Sequence, residues 1–263
     1  MKTKLFPLLM TSMALAIIPS CSSKKKTEIN VFAAASMTET LTAIESKYEK
    51  AHPGVDLLMN FESSGTLQKQ IEAGSACDLF ISAAPKQMNA LEEKNLINKD
   101  SRFNLLENKV TLVVPANNPK NVTDFNNLKE RLAAHESGFV LAMGNSDVPV
   151  GQYTQKIFAH FGLDEAELNA AGMLSYGTNV KEVTTQVSQA SVACGIVYKT
   201  DAFSANLEVK AEATAEMCGQ VIYPAALTAS TEHADLAGEF LSYLKGEEAS
   251  TIFEGVGFTA LNK

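Results

Sequence analysis

The stretch Glu28-Ile29-Asn30-Val31-Phe32-Ala33-Ala34-Ala35-Ser36 decides the fold class. Its first five residues carry the β-branched and aromatic side chains of a strand. The run from Met37 to Lys50 then sets Leu41, Ile44 and Tyr48 on one helical face. Ser36, at the junction, is the expected N-cap, because a hydroxyl there accepts from an N–H of the first turn. The same handover follows twice more. Val55 to Phe61 reads as strand and Thr66 to Glu72 as helix; Asp78-Leu79-Phe80-Ile81 reads as strand and Pro85 to Lys94 as helix, with Pro85 suited to a first helical position. Strands alternating with helices predict an α/β architecture with a largely parallel sheet.

One unit is laid down by about residue 105, and a second series opens with Lys109-Val110-Thr111-Leu112-Val113-Val114, closed by Pro115. It continues through a helix near Val122 to Ala134, a strand near Phe139 to Met143, and further elements through Tyr176, Val180 to Gln189 and Gly195-Ile196-Val197-Tyr198. After Val209 the chain returns through Val221-Ile222-Tyr223, and two helices, Glu232 to Lys245 and Glu247 to Phe253, precede Gly257-Phe258-Thr259. No linker rich in Pro, Gly or Ser separates the series. Strands that cross directly between two units leave none, and such crossings make hinges around a cleft.

The N-terminus reads as processing. Lys2 and Lys4 precede an apolar run from Leu5 to Ile18 and then Pro19-Ser20-Cys21, the layout of a secretory signal over residues 1–20. Ile18-Pro19-Ser20-Cys21 resembles a bacterial lipobox. A plain signal with an incidental cysteine is the alternative, but the polar tether Ser22-Ser23-Lys24-Lys25-Lys26 favours lipidation at Cys21. The expected product is an exported lipoprotein at the periplasmic or cell-envelope face, with residues 21–26 as leash. Losing the two leader lysines takes the formal charge from −8 to −10. That balance, without polybasic stripes, argues against a nucleic-acid partner. About 240 residues remain, enough for two compact units. Cys77, Cys194 and Cys218 permit at most one disulfide and read as small buried residues. They and the isolated His52, His135, His160 and His233 lack the spacing of a zinc site.

The catalytic signatures of serine hydrolases, zinc helices, phosphate loops and dinucleotide folds are missing, and no carboxylate pair stands apart from ordinary surface acids, so an enzyme is not expected. The positive signals are four places where small or hydroxylated residues lead into a helix. These are Ala33-Ala34-Ala35-Ser36, Phe61-Glu62-Ser63-Ser64-Gly65-Thr66, Asp147-Val148-Pro149-Val150-Gly151 and Gly177-Thr178-Asn179-Val180. Singly, each is a capped helix; converging on the carboxyl edge of α/β sheets, they make an anion site without Lys or Arg. Tyr198 either reaches that cleft with its phenol or is a half-buried tyrosine with a satisfied hydroxyl.

Those segments, together with Asp78-Leu79-Phe80-Ile81-Ser82-Ala83, Asp201-Ala202, Tyr223-Pro224 and Gly257-Phe258-Thr259, resemble the molybdate-binding receptors of bacterial ABC importers, which are type II periplasmic binding proteins. The resemblance implies two lobes, residues 27–108 plus 223–263 and residues 109–222, each a mixed, mostly parallel sheet flanked by helices. It implies a tetrahedral dianion, molybdate or tungstate, held by Ser36 and Ser64 of the first lobe. The second lobe would add the backbone N–H groups of Val150 and Val180 and the Tyr198 hydroxyl. Implied partners are the importer's permease and ATPase, with no cofactor and no metal cation, and a monomer is expected. Two departures stand out: Val150 replaces a common alanine, and Gly65 stands where a third serine occurs. The rivals are a receptor for sulfate or another small oxyanion, an exported hydrolase or transferase on the same scaffold, and a structural lipoprotein.

Overall fold

The computed structural model describes residues 25–261. The leader and the expected lipidation site Cys21 lie outside the described residues. The chain opens with β1 (Thr27–Ala34), α1 (Thr38–Ala51), β2 (Val55–Glu62), α2 (Ser64–Glu72), β3 (Leu79–Ile81), α3 (Pro85–Glu93) and β4 (Phe103–Asn108). It passes through Lys109 into β5 (Val110–Val114), α4 (Phe125–Ala133), β6 (Leu141–Gly144), α5 (Pro149–Phe161), α6 (Glu165–Ala170) and β7 (Leu174–Gly177). Then follow α7 (Val180–Ser188), β8 (Cys194–Tyr198), α8 (Lys199–Ser204), β9 (Glu208–Glu212) and α9 (Ala215–Cys218). The last elements are β10 (Val221–Leu227), α10 (Ala234–Tyr243), α11 (Glu247–Gly255) and β11 (Thr259–Ala260).

The strands form two sheets, ordered β11-β4-β10-β3-β1-β2 and β7-β6-β8-β5-β9. The first therefore draws on both ends of the chain and the second on its middle. Both are mixed. Parallel pairing joins β1 to β2 and β3, and β6 to β7 and β8, whereas β10 with β3 and β4, β4 with β11, and β5 with β8 and β9 are antiparallel. The largely parallel expectation thus holds only for strands joined by helical crossovers. Strands arriving directly from the other sheet need no crossover and enter antiparallel. The two crossings lie side by side, because Asn108, the last residue of β4, pairs with Val221, the first of β10.

Local sequence explains most elements. Every residue of β5 and β8 is buried, the pattern of a strand covered on both faces. In α7 the buried positions Val180, Val183, Thr184 and Val187 fall on one stripe. Two junctions differ from expectation. Ser36 is not an N-cap: Ala35–Met37 form a 3-10 turn, α1 starts at Thr38 with Met37 before it, and the Ser36 hydroxyl pairs with the Tyr223 hydroxyl at 2.9 Å. And α2 starts at Ser64, two residues early, because Ser63 supplies the cap by accepting from the Thr66 N–H at 3.1 Å. Cys77, Cys194 and Cys218 are buried free thiols, so no disulfide joins them. Burial raises the pKa of each, which keeps them protonated and inert.

Candidate functional site

Five element junctions meet across the space between the sheets. The β1–α1 turn brings Ser36 and the β2–α2 turn brings Ser64, while the start of α5 brings Val148 and Pro149, the start of α7 brings Val180 and the end of β8 brings Tyr198. With Ala83 and Glu62 among the remaining lining residues, they surround a narrow gap with a cavity volume of ≈ 10 Å³. Of the five residues expected there, Ser36, Ser64, Val180 and Tyr198 line the gap. Val150 follows the lining Pro149, with its side chain packed into the core.

Each junction offers hydrogen-bond donors for a reason that can be read locally. The first-turn N–H groups of a helix have no partner within it. In α5, Pro149 has no N–H, so the first main-chain donor of the helix is that of Val150. In α7, the Asn179 side chain takes the Glu182 N–H at 3.1 Å, which leaves Val180 at the tip. In α2, Ser63 takes the Thr66 N–H and leaves those of Ser64 and Gly65. The hydroxyls add to these. The Ser64 Oγ accepts from the Ala83 N–H at 3.0 Å, so its own proton is available to the gap. Burial, reinforced by the nearby Tyr223, Tyr153 and Asp201, holds the Tyr198 phenol well above its ordinary pKa; it stays protonated, with only a long 3.5 Å bond to the Ala83 carbonyl. No Lys, Arg or His lines the gap, and Glu62 is its one acidic residue. Donors at positive helix ends beside such a gap suit an anion.

Around this gap the sheets are clasped by residues the sequence did not single out for that role. Lys69 of α2 reaches Asp147, just before α5, at 2.5 Å. Lys181 of α7 holds both carboxylate oxygens of Glu39 of α1, at 2.7 and 2.8 Å, and lies 3.2 Å from Asp201 of α8. At Gly65 the two sides come close, since a Cβ placed there would lie 2.2 Å from the Asp147 carbonyl oxygen. That contact gives a physical reason for glycine where a serine occurs in the resembling family: any side chain would meet main chain across the gap.

Asp201 is fully buried, and desolvation pushes its pKa up to about 6 against the pull of Lys181. A carboxyl with a folded pKa above its ordinary 3.8 favours folding most below about 4, and that contribution is lost as pH rises through about 6. Asp201→Asn should remove this dependence. The stability difference between wild type and variant, measured by urea unfolding, should fall by roughly 2 kcal/mol from pH 4 to pH 7; a flat difference would contradict it. Among the described residues, no cluster of His, Cys, Asp or Glu is placed to hold a metal ion.

The sequence profile of the bacterial extracellular solute-binding proteins matches residues 29–259, nearly all of the two-sheet core. The chain belongs to that family. Within it, the solute-binding protein is 36% identical over 243 residues to Bacillus subtilis YvgL, whose name provisionally places it among ABC transporter substrate-binding lipoproteins, covering 92% of this chain and 90% of the relative. It is 34% identical over 235 residues to the molybdate-binding protein ModA of Escherichia coli, covering 88% and 89%. Its fold matches the periplasmic molybdate-binding protein of Azotobacter vinelandii with a TM-score of 0.75 at 22% identity, over 88% of this chain and 98% of that one. The gap described above lies between the two sheets of this solute-binding protein.

Proposed function

We propose that this solute-binding protein captures molybdate, and tungstate with it, outside the cytoplasmic membrane and hands it to the permease and ATPase of an ABC importer. In this reading it works as a monomer anchored by lipid at Cys21. Its lobes are the two sheets with their helices, hinged at the adjoining crossings near Asn108 and Val221. The observation that carries the proposal is the convergence of three α-helix starts, one 3-10 turn and the hydroxyls of Ser36, Ser64 and Tyr198 on one gap with no cationic lining residue. The 34% identity to a molybdate-binding protein supports the choice of anion.

The energetics are consistent with such a site. Each hydrogen bond to a charged oxygen contributes on the order of 1.5–3 kcal/mol, so several preorganised donors offset desolvation and lobe closure. A surface that presents donors everywhere but at Glu62 also disfavours hydrogen phosphate, because a buried unpaired proton costs roughly 1–3 kcal/mol. Sulfate carries no such proton and is excluded, in this account, by its smaller size.

Ser36, Ser64, Tyr198 and the N–H groups of Val150 and Val180 are the proposed ligands. Ser36→Ala should weaken molybdate binding by about 10- to 100-fold while leaving the melting temperature within a few degrees, since it removes one donor and no helix cap. Calorimetry on the purified variant checks this. Unchanged affinity would remove Ser36 from the site.

A further inference from the structure

Tyr223-Pro224 lies in β10, beside the crossing between the sheets. Tyr223 is fully buried, and its hydroxyl is the hydrogen-bond partner of Ser36, 2.9 Å away. Taken alone, that contact leaves open which oxygen donates. Asn108 settles it. The Asn108 Oδ1 lies 2.8 Å from the Lys109 N–H, and a main-chain N–H can only donate, so the amide orientation is fixed with its nitrogen pointing the other way. Both protons of Nδ2 are then spent on hydroxyl oxygens, Thr200 Oγ1 at 2.9 Å and Tyr223 Oη at 3.2 Å. Tyr223 accepts from Asn108, and among the described residues Ser36 Oγ is the one other atom hydrogen-bonded to its hydroxyl, so a satisfied Tyr223 gives its own proton to Ser36. Ser36 Oγ therefore accepts from inside the protein, and its own proton is left for the gap that Ser36 lines.

We infer that Asn108 and Tyr223 are positioning residues that fix the Ser36 hydroxyl as a donor toward the ligand, and that the site's preference for a fully deprotonated oxyanion over a protonated one depends on this pair. The inference rests on the oxyanion reading above. All four side chains are nearly inaccessible, with Asn108 at 1%, Thr200 at 1%, Tyr223 at 0% and Ser36 at 5% exposure, so water has little access to reverse the order. Burial also keeps the Tyr223 phenol protonated, as the arrangement needs. The relay has a second property. Asn108 ends β4 and Tyr223 lies in β10, the two strands at the crossings between the sheets, while Thr200 belongs to α8 on the second sheet's side. The ligand contact is thereby tied to the hinge.

Two variants test the direction of the relay. Tyr223→Phe keeps the ring and deletes the proton given to Ser36, so the Ser36 hydroxyl is free to accept. Asn108→Asp keeps the shape but replaces the donor to Tyr223 by an acceptor. The Tyr223 proton then turns to the carboxylate, and the Ser36 proton turns to Tyr223. The readout is the ratio of molybdate affinity to hydrogen phosphate affinity, from calorimetric titration with molybdate and displacement by phosphate, at a pH where phosphate is the singly protonated dianion.

Both anions then carry the same charge, so added repulsion moves both affinities together. Sulfate, small like phosphate but without a proton, is titrated alongside, so that a change in size discrimination shows in the sulfate ratio while the donor direction shows only in the phosphate ratio. The ratio is expected to shrink by about tenfold or more in each variant. A ratio unchanged in a folded variant, whatever happens to the absolute affinities, would overturn the relay. Wild-type protein that binds no molybdate would overturn the oxyanion reading itself and the relay with it. Should Tyr223→Phe unfold, the Asn108→Asp ratio decides alone.

Discussion

Gly65→Ala is expected to weaken molybdate binding by about 100-fold or more while leaving the unliganded protein folded. The added methyl would sit 2.2 Å from the Asp147 carbonyl oxygen and 2.9 Å from its carbon, and both are main-chain atoms that no rotamer change can move aside. Relief requires the start of α2 to withdraw from the loop before α5, which separates Ser64 from Val150 across the gap. The Lys69–Asp147 ion pair, one turn along α2, would be stretched by the same movement; both its side chains are largely exposed, so its loss adds little. The effect should therefore appear in affinity and not in the melting temperature without ligand. Calorimetry with a thermal melt checks both, and near wild-type affinity would show that the Gly65 contact plays no part in closing the site.

The second large effect falls on folding. In Gly151→Ala the new Cβ would lie 2.2 Å from the Gly144 carbonyl oxygen and 2.4 Å from that of Asn145, where the end of β6 packs under the first turn of α5. Strain of this kind in a packed interior costs about 3 kcal/mol, which corresponds to roughly 6–12 °C in melting temperature for a chain of this size. The displaced turn carries the Val150 N–H, so affinity should fall as well. A melting temperature within a degree or two of wild type would mean that this turn yields more easily than its main-chain contacts indicate.

Much of this arrangement was legible in the sequence because it depends on local signals. Strand runs, helical periodicity and the four small-residue junctions are each encoded within about ten residues, and they place Ser36, Ser64, Val180 and Tyr198 around one gap. What the sequence hid is nonlocal. The strand β4 escaped notice because Leu105-Leu106 breaks the alternation between Asn104 and Asn108. The antiparallel half of each sheet depends on which strands carry the chain between sheets, which no window of residues records. Ser36 looked like a cap because serine before an apolar helix usually is one. Its actual partner, Tyr223, lies 187 residues away. Gly65 likewise stands in the sequence as a missing hydroxyl, and its reason, the main chain of Asp147 across the gap, is nonlocal.

The measurement that bears most directly on the whole account is isothermal titration of residues 27–263 with molybdate, followed by sulfate in excess. Saturable one-to-one binding that sulfate fails to displace is the predicted result. No binding of molybdate by protein shown to be folded and free of bound anion, or ready displacement by sulfate, would contradict the proposed ligand while leaving the solute-binding fold in place.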